Sequence, residues 1–183
     1  MKRDQLFARL SLTATLIASA AIPTTAHTGV SVAHDLTHGF LHPLTGLDHV
    51  IAMIAVGIIA AQAGGRAVWL VPASFLAMMA FGGLLGMTGA GLPWVETGIA
   101  VSVIVLGGAA VMRLPMTGLA AATLVGAFAV FHGFAHGAEM PVDASAATYA
   151  GGFLLATALL HFAGLGLGMR IRQLGARIPS TTP

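Results

Sequence analysis

Residues 67–87 read AVWLVPASFLAMMAFGGLLGM, twenty-one consecutive positions without a charged side chain. At 1.5 Å per residue an α-helix of that length rises about 30 Å, the thickness of a bilayer's hydrocarbon core. Working outward, the stretch is preceded by Gly64-Gly65-Arg66 and followed by Gly89-Ala90-Gly91-Leu92-Pro93, which is the punctuation that helix ends require. The same pattern recurs along the chain. Further apolar stretches run over about 46–63, 94–112, 116–136 and 146–169, separated by Leu114-Pro115 and Met140-Pro141. Helices are the only fit, because backbone polar groups in lipid must be satisfied within their own segment and no alternating ten-residue strand pattern is present. The expectation is an all-α membrane protein, a compact bundle of about five transmembrane helices with a short broken helix before the first span.

Composition agrees. Of 183 residues 57% are hydrophobic and 8% charged, and the mean hydropathy is +0.91, too apolar to present a soluble surface. The pI of about 9.9 does not indicate nucleic acid, since the net charge is only +2 and no basic run is interleaved with aromatics. Cysteine is absent, which excludes a disulfide framework, a thiolate zinc site and thiol redox chemistry. A metal site in this chain has to use His, carboxylate or Met.

The first residues place Lys2, Arg3 and Arg9 before an apolar core from Leu10 to Ile22 and small residues at Thr24-Thr25-Ala26. That is the order of a secretory signal cleaved after Ala26, with a core too short for a comfortable permanent span. The domain reading is therefore a signal peptide over 1–26 and a single transmembrane helical domain over 27–183. If the signal exports the mature N-terminus, the ends carrying Arg66, Arg113, Arg170, Arg172 and Arg177 fall in the cytoplasm, and Glu139 and Asp143 fall outside. All five arginines of the mature chain then obey the positive-inside rule. This gives a multi-pass protein of the bacterial inner membrane with a periplasmic N-terminus and a cytoplasmic C-terminus. Gly82-x-x-x-Gly86, Gly133-x-x-x-Gly137 and Gly164-x-x-x-Gly168 let helix backbones approach closely, and are read as packing within one bundle, with a homo-oligomer as the lesser reading.

The pentapeptide His-Gly-Phe-x-His occurs twice, as HGFLH at His38–His42 and HGFAH at His132–His136. The topology brings both copies to the outer face. On a helix His132 and His136 share a stripe, joined by Glu139 if the helix continues. The first copy leads into HPLTGLDH, which supplies His42, Asp48 and His49. Pro43 and Gly46 predict a break over Leu41 to Gly46. Ionisable residues in a membrane are costly and signal function. Here Asp48, His49, His132, His136 and Glu139 are each other's partners through a divalent cation, and a His-rich set favours a first-row transition metal over magnesium or calcium. Taken singly, a membrane His such as His161 is more often a core hydrogen-bonding residue than a ligand. Met53 and Met140 read as packing, Glu96 as a helix N-terminal carboxylate opposing the dipole, and Ser102 as a hydroxyl bonded back to its own helix.

HPLTGLDHVIAMIAVG in the first span, HGFAHGAE in the fourth and GGFLLATALLHFAGLGLG in the fifth resemble the HupE/UreJ family of hydrogenase and urease accessory membrane proteins. The resemblance spans essentially the whole mature chain. It implies a permease for nickel, or cobalt, across the bacterial inner membrane without an attached ATPase, supplying downstream nickel chaperones or maturation proteins of a nickel enzyme. It further implies metal handling by His42, Asp48, His49, His132, His136 and Glu139, with His161 from the third motif.

On this reading the transported ion is the cargo and no prosthetic group is needed. His27, His34 and His38 intercept the ion at the outer vestibule, and His161, about 22 Å below the outer end of its helix, forms an inner station or gate. No phosphate-binding Gly-x-x-x-x-Gly-Lys-Ser/Thr loop exists in the chain. The competing class is a metal-dependent intramembrane hydrolase with three His on zinc and a carboxylate base. The absence of His-Glu-x-x-His and Gly-x-Ser-x-Gly argues against it. A bis-His haem carrier using His49 and His132 is the third reading.

Overall fold

The computed structural model describes residues 35–140 and 145–176. The signal-peptide reading, His27, His34 and Asp143 lie outside them. Six helices occur among the described residues, and no strand: α1 Asp35–Thr45, α2 Leu47–Ala63, α3 Ala67–Met87, α4 Val95–Met112, α5 Gly118–Ala138 and α6 Ala146–Ala176. The last four are long and apolar enough to span a bilayer, and α1 with α2 meets the same length and composition together, as a pair bent by 88° at its break. The chain is a multi-pass membrane protein.

The bend is sharper than the sequence predicts. Instead of a break spread over Leu41 to Gly46, α1 continues helically through Pro43, and Gly46 alone is extended, at φ −92 and ψ 114. Pro43 lies in the final turn, where its missing N–H costs one bond of a helix about to end, and its ring is fully buried. The other boundaries fall within a few residues of the expected ones, α6 running beyond Met169. Glycines with positive φ, Gly64 and Gly65, end α2, because the left-handed conformation is cheapest there.

Helix α2 is the central element, touching all the other helices. The bundle closes through glycine contacts in reciprocal pairs. A Cβ on Gly82 or Gly86 of α3 would strike the Val130 or Phe134 carbonyl of α5, and one on Gly133 or Gly137 would strike the Met79 or Gly83 carbonyl of α3. Gly57 and Gly164 do the same between α2 and α6, and Gly39 and Gly152 between α1 and α6. Backbones that close gain dispersion contacts that lipid cannot supply. Large side chains such as Trp69, Leu84, Leu119 and Leu155 point outward, toward lipid. The result clamps α1 across one end of the bundle, over the first turn of α2 and the last turn of α5. Arg113 and Arg172 meet at the opposite end.

Candidate metal centre

Three elements meet where α1 crosses the bundle. His42 comes from the last turn of α1, His49 from the first turn of α2, and His132 and His136 from the last two turns of α5, whose C-cap is Glu139. His42 Nε2 lies 2.9 Å from His136 Nδ1, and Glu139 Oε2 lies 3.7 Å from the first nitrogen and 4.0 Å from the second. The point equidistant from these three atoms is about 2.1 Å from each, the bond length of a first-row cation to imidazole nitrogen or carboxylate oxygen. His42, His136 and Glu139 form a group able to hold a metal ion. Their side chains are 16%, 15% and 29% exposed, so an ion can arrive from the aqueous side.

One layer deeper, His136 Nε2 is 3.1 Å from His49 Nδ1, and the buried Nε2 of His49 has no hydrogen-bond partner. The His49 and His132 rings stand 5.3 Å apart, centroid to centroid. His132 is 1% exposed, and its Nε2 lies 2.7 Å from Ser102 Oγ on α4. Ser102 also bonds the Ile99 carbonyl at 2.6 Å. A carbonyl only accepts, so the single hydroxyl proton goes to Ile99 and His132 must donate from Nε2. This fixes the His132 tautomer and leaves the lone pair on Nδ1, the atom that could ligate.

Asp48 does not join the three-atom group. It lines a pocket of about 40 Å³ with His42, His49, His132, His136 and Glu139, and is near enough to His132 to act on it electrostatically. The space admits a water or two beside an ion. His38 lies one turn before His42 on α1, ring centroids 6.1 Å apart, and its Nδ1 is buried without a partner. His161 sits apart on α6, 1% exposed, neither ring nitrogen hydrogen-bonded, with the Phe75 ring edge-on at 5.1 Å. Phe75 also faces His132, at 6.0 Å, and so stands between the outer histidines and His161.

Four contributors escaped the sequence reading. Glu96 is in the first turn of α4, as a dipole-opposing carboxylate should be, but it also lines the histidine pocket. Ser102 bonds back to its helix as expected, and in addition holds His132. Phe153 walls the cluster, its ring 4.5 Å from His136 and 5.3 Å from His49. Tyr149 packs over His38 and His42, with a buried hydroxyl lacking a partner. Spacing signals none of these, since each acts across a helix interface.

The family model described as HupE / UreJ protein matches residues 13–182. The chain belongs to the HupE/UreJ family. Protein HupE of Rhizobium leguminosarum bv. viciae is 46% identical over 154 residues, covering 84% of this chain and 81% of that protein. No solved structure matches. In this HupE/UreJ member the candidate donors lie in two stretches, HPLTGLDH and HGFAHGAE, brought together by the α1–α2 bend and the end of α5.

Proposed function

We propose that this protein is a bacterial inner-membrane permease for Ni²⁺, with Co²⁺ as a second cargo, supplying nickel to the maturation of hydrogenase or urease. The observation that carries the reading is the triangle of His42 Nε2, His136 Nδ1 and Glu139 Oε2, two nitrogens and one charged oxygen sized for one first-row cation.

The ion sheds part of its water against His38 and, at the mature N-terminus, His27. It binds His42 Nε2 and His136 Nδ1 once each neutral ring carries its proton on its other nitrogen, His42 Nδ1 and His136 Nε2, and Glu139 offsets one of its two charges. Asp48 and Glu96 keep the adjoining pocket negative. As the ion leaves His136, that ring regains its Nδ1 proton and its Nε2 accepts from His49 Nδ1–H, which frees the lone pair of His49 Nε2 to take the ion with His132 Nδ1 one layer inward. His161 is the next station, on the part of α6 whose backbone packs against Gly57, eight residues past His49 on α2. Thr157 Oγ1, buried without a partner one turn before His161, adds an oxygen there. Moving two charges inward down 100 mV yields about 4.6 kcal/mol, enough for more than thousandfold accumulation without ATP. Binding at each layer is moderate because the donors are few at each step, which conduction requires.

The arginine-rich ends support an orientation with the histidine end periplasmic and the C-terminus cytoplasmic. Nickel chaperones and maturation proteins receive the ion on that side. Nothing in the donor arrangement favours the hydrolase. The test is nickel uptake into proteoliposomes by the intact protein against His136→Ala and Glu139→Gln. Uptake abolished or cut at least tenfold in both supports the proposal, and uptake unchanged in both refutes it.

A further inference from the structure

At the end of the bundle remote from the histidines lies a cavity of about 560 Å³, between the last turn of α2, the α4–α5 connection and the late turns of α6. Its polar wall is Arg113, Arg172, Gln62 and Thr117, and Leu114 and Met116 belong to its apolar wall; among the described residues no acidic side chain lines it. The two guanidiniums come from different segments, Arg113 exposed at the end of α4 and Arg172 anchored on α6. Arg113 is the left-handed C-cap of α4, φ 53, which turns the chain back toward α5. Arg172 reaches across from α6 to donate from Nη1 to the Ala61 carbonyl near the end of α2. Thr117, which lines the same space, caps the N-terminus of α5 by accepting from Ala120 N at 3.2 Å.

Positive-inside topology alone does not call for this arrangement. Arg170, exposed on the same helix, satisfies that rule without lining the cavity. Two guanidiniums, one of them anchored on a backbone carbonyl, with no acidic side chain beside them among the described residues, make a site for an anion with several oxygens. The apolar wall and the position at a bundle end, where headgroups lie, specify what carries it. A free inorganic anion has no use for Leu114 and Met116, but the glycerol and first methylenes of a lipid do. We propose that this cavity binds the phosphodiester of one anionic phospholipid, with Arg113 and Arg172 on its oxygens. The inference is independent of the metal reading and requires only that the chain spans a bilayer.

Native mass spectrometry of the full-length protein in detergent, titrated with phosphatidylglycerol, phosphatidylcholine or inorganic phosphate, tests it. The expected result is one phosphatidylglycerol retained at least tenfold more tightly than phosphatidylcholine. That retention is lost in Arg113→Gln, which leaves the Arg172 bond to Ala61 intact, and kept in Arg170→Gln. Equal retention of both lipids, or phosphatidylglycerol held as tightly by Arg113→Gln as by the intact chain, overturns the proposal. Full competition by inorganic phosphate at an equal phosphate concentration would assign the cavity to a soluble anion and overturn the lipid assignment.

Discussion

At the scale of single residues, the site rests on which atom of each imidazole carries a proton. Ser102 settles that for His132, and its removal has a specific consequence. Ser102→Ala frees the ring to adopt either tautomer, and nickel uptake is expected to fall about tenfold to a hundredfold, the usual cost of losing an outer-shell partner. Ser102→Thr keeps the hydroxyl and should retain most of the activity. Uptake measured in proteoliposomes checks both, and equal rates in the Ala and Thr variants would remove Ser102 from the mechanism. The same chemistry sets the pH dependence. An imidazole ligates only when neutral, so protons compete with the metal for these donors as pH falls. Uptake by the intact protein should decline from pH 7.5 to 5.5 at fixed membrane potential; a flat profile would contradict histidine ligation. The i, i+4 spacing of His132 and His136, and Glu139 three residues further, is legible in the sequence. That these three do not act as one set, His136 turning to His42 and His132 to Ser102, is not legible, because it depends on which neighbour each face of α5 meets.

At the scale of elements, glycine sets the distances between donors. The α3–α5 and α2–α6 contacts exist because Gly82, Gly133, Gly57 and Gly164 admit a neighbouring backbone where a Cβ cannot fit. Gly82→Leu is expected to destabilise the bundle by about 1–3 kcal/mol, the range for overpacking. It should lower the thermal midpoint in detergent, whereas Gly91→Ala, with open space around it, should leave that midpoint unchanged. An unshifted midpoint in Gly82→Leu would mean that the helices do not pack as described. The helix boundaries were readable from Gly and Pro because backbone chemistry at chain turns is local. The bend at Gly46 was readable only as a region, since the helicity of Leu41–Thr45 is decided by α1 packing on α6, a contact more than one hundred residues away in sequence.

At the scale of the whole molecule, polarity along the bundle axis is the organising feature, with imidazoles and carboxylates at one end and guanidiniums at the other. Orientation is directly testable because the chain has no native cysteine. A membrane-impermeant maleimide should label Thr97→Cys in cells with a permeabilised outer membrane, and Leu114→Cys only after lysis. The reverse pattern would invert the topology and with it the direction of transport. Apolar content and the arginine distribution made the bundle and its expected orientation legible at once, since lipid imposes both. The histidine cluster was legible as a convergence of motifs but not as a set of distances.

The central claim is that one divalent ion sits between His42, His136 and Glu139. X-ray absorption at the nickel edge on the purified, nickel-loaded protein tests it most directly. The account predicts imidazole nitrogen in the first shell at about 2.1 Å, with two imidazoles in the intact protein and one fewer in His136→Ala. A first shell of oxygen alone, or an imidazole count unchanged by that substitution, would contradict it.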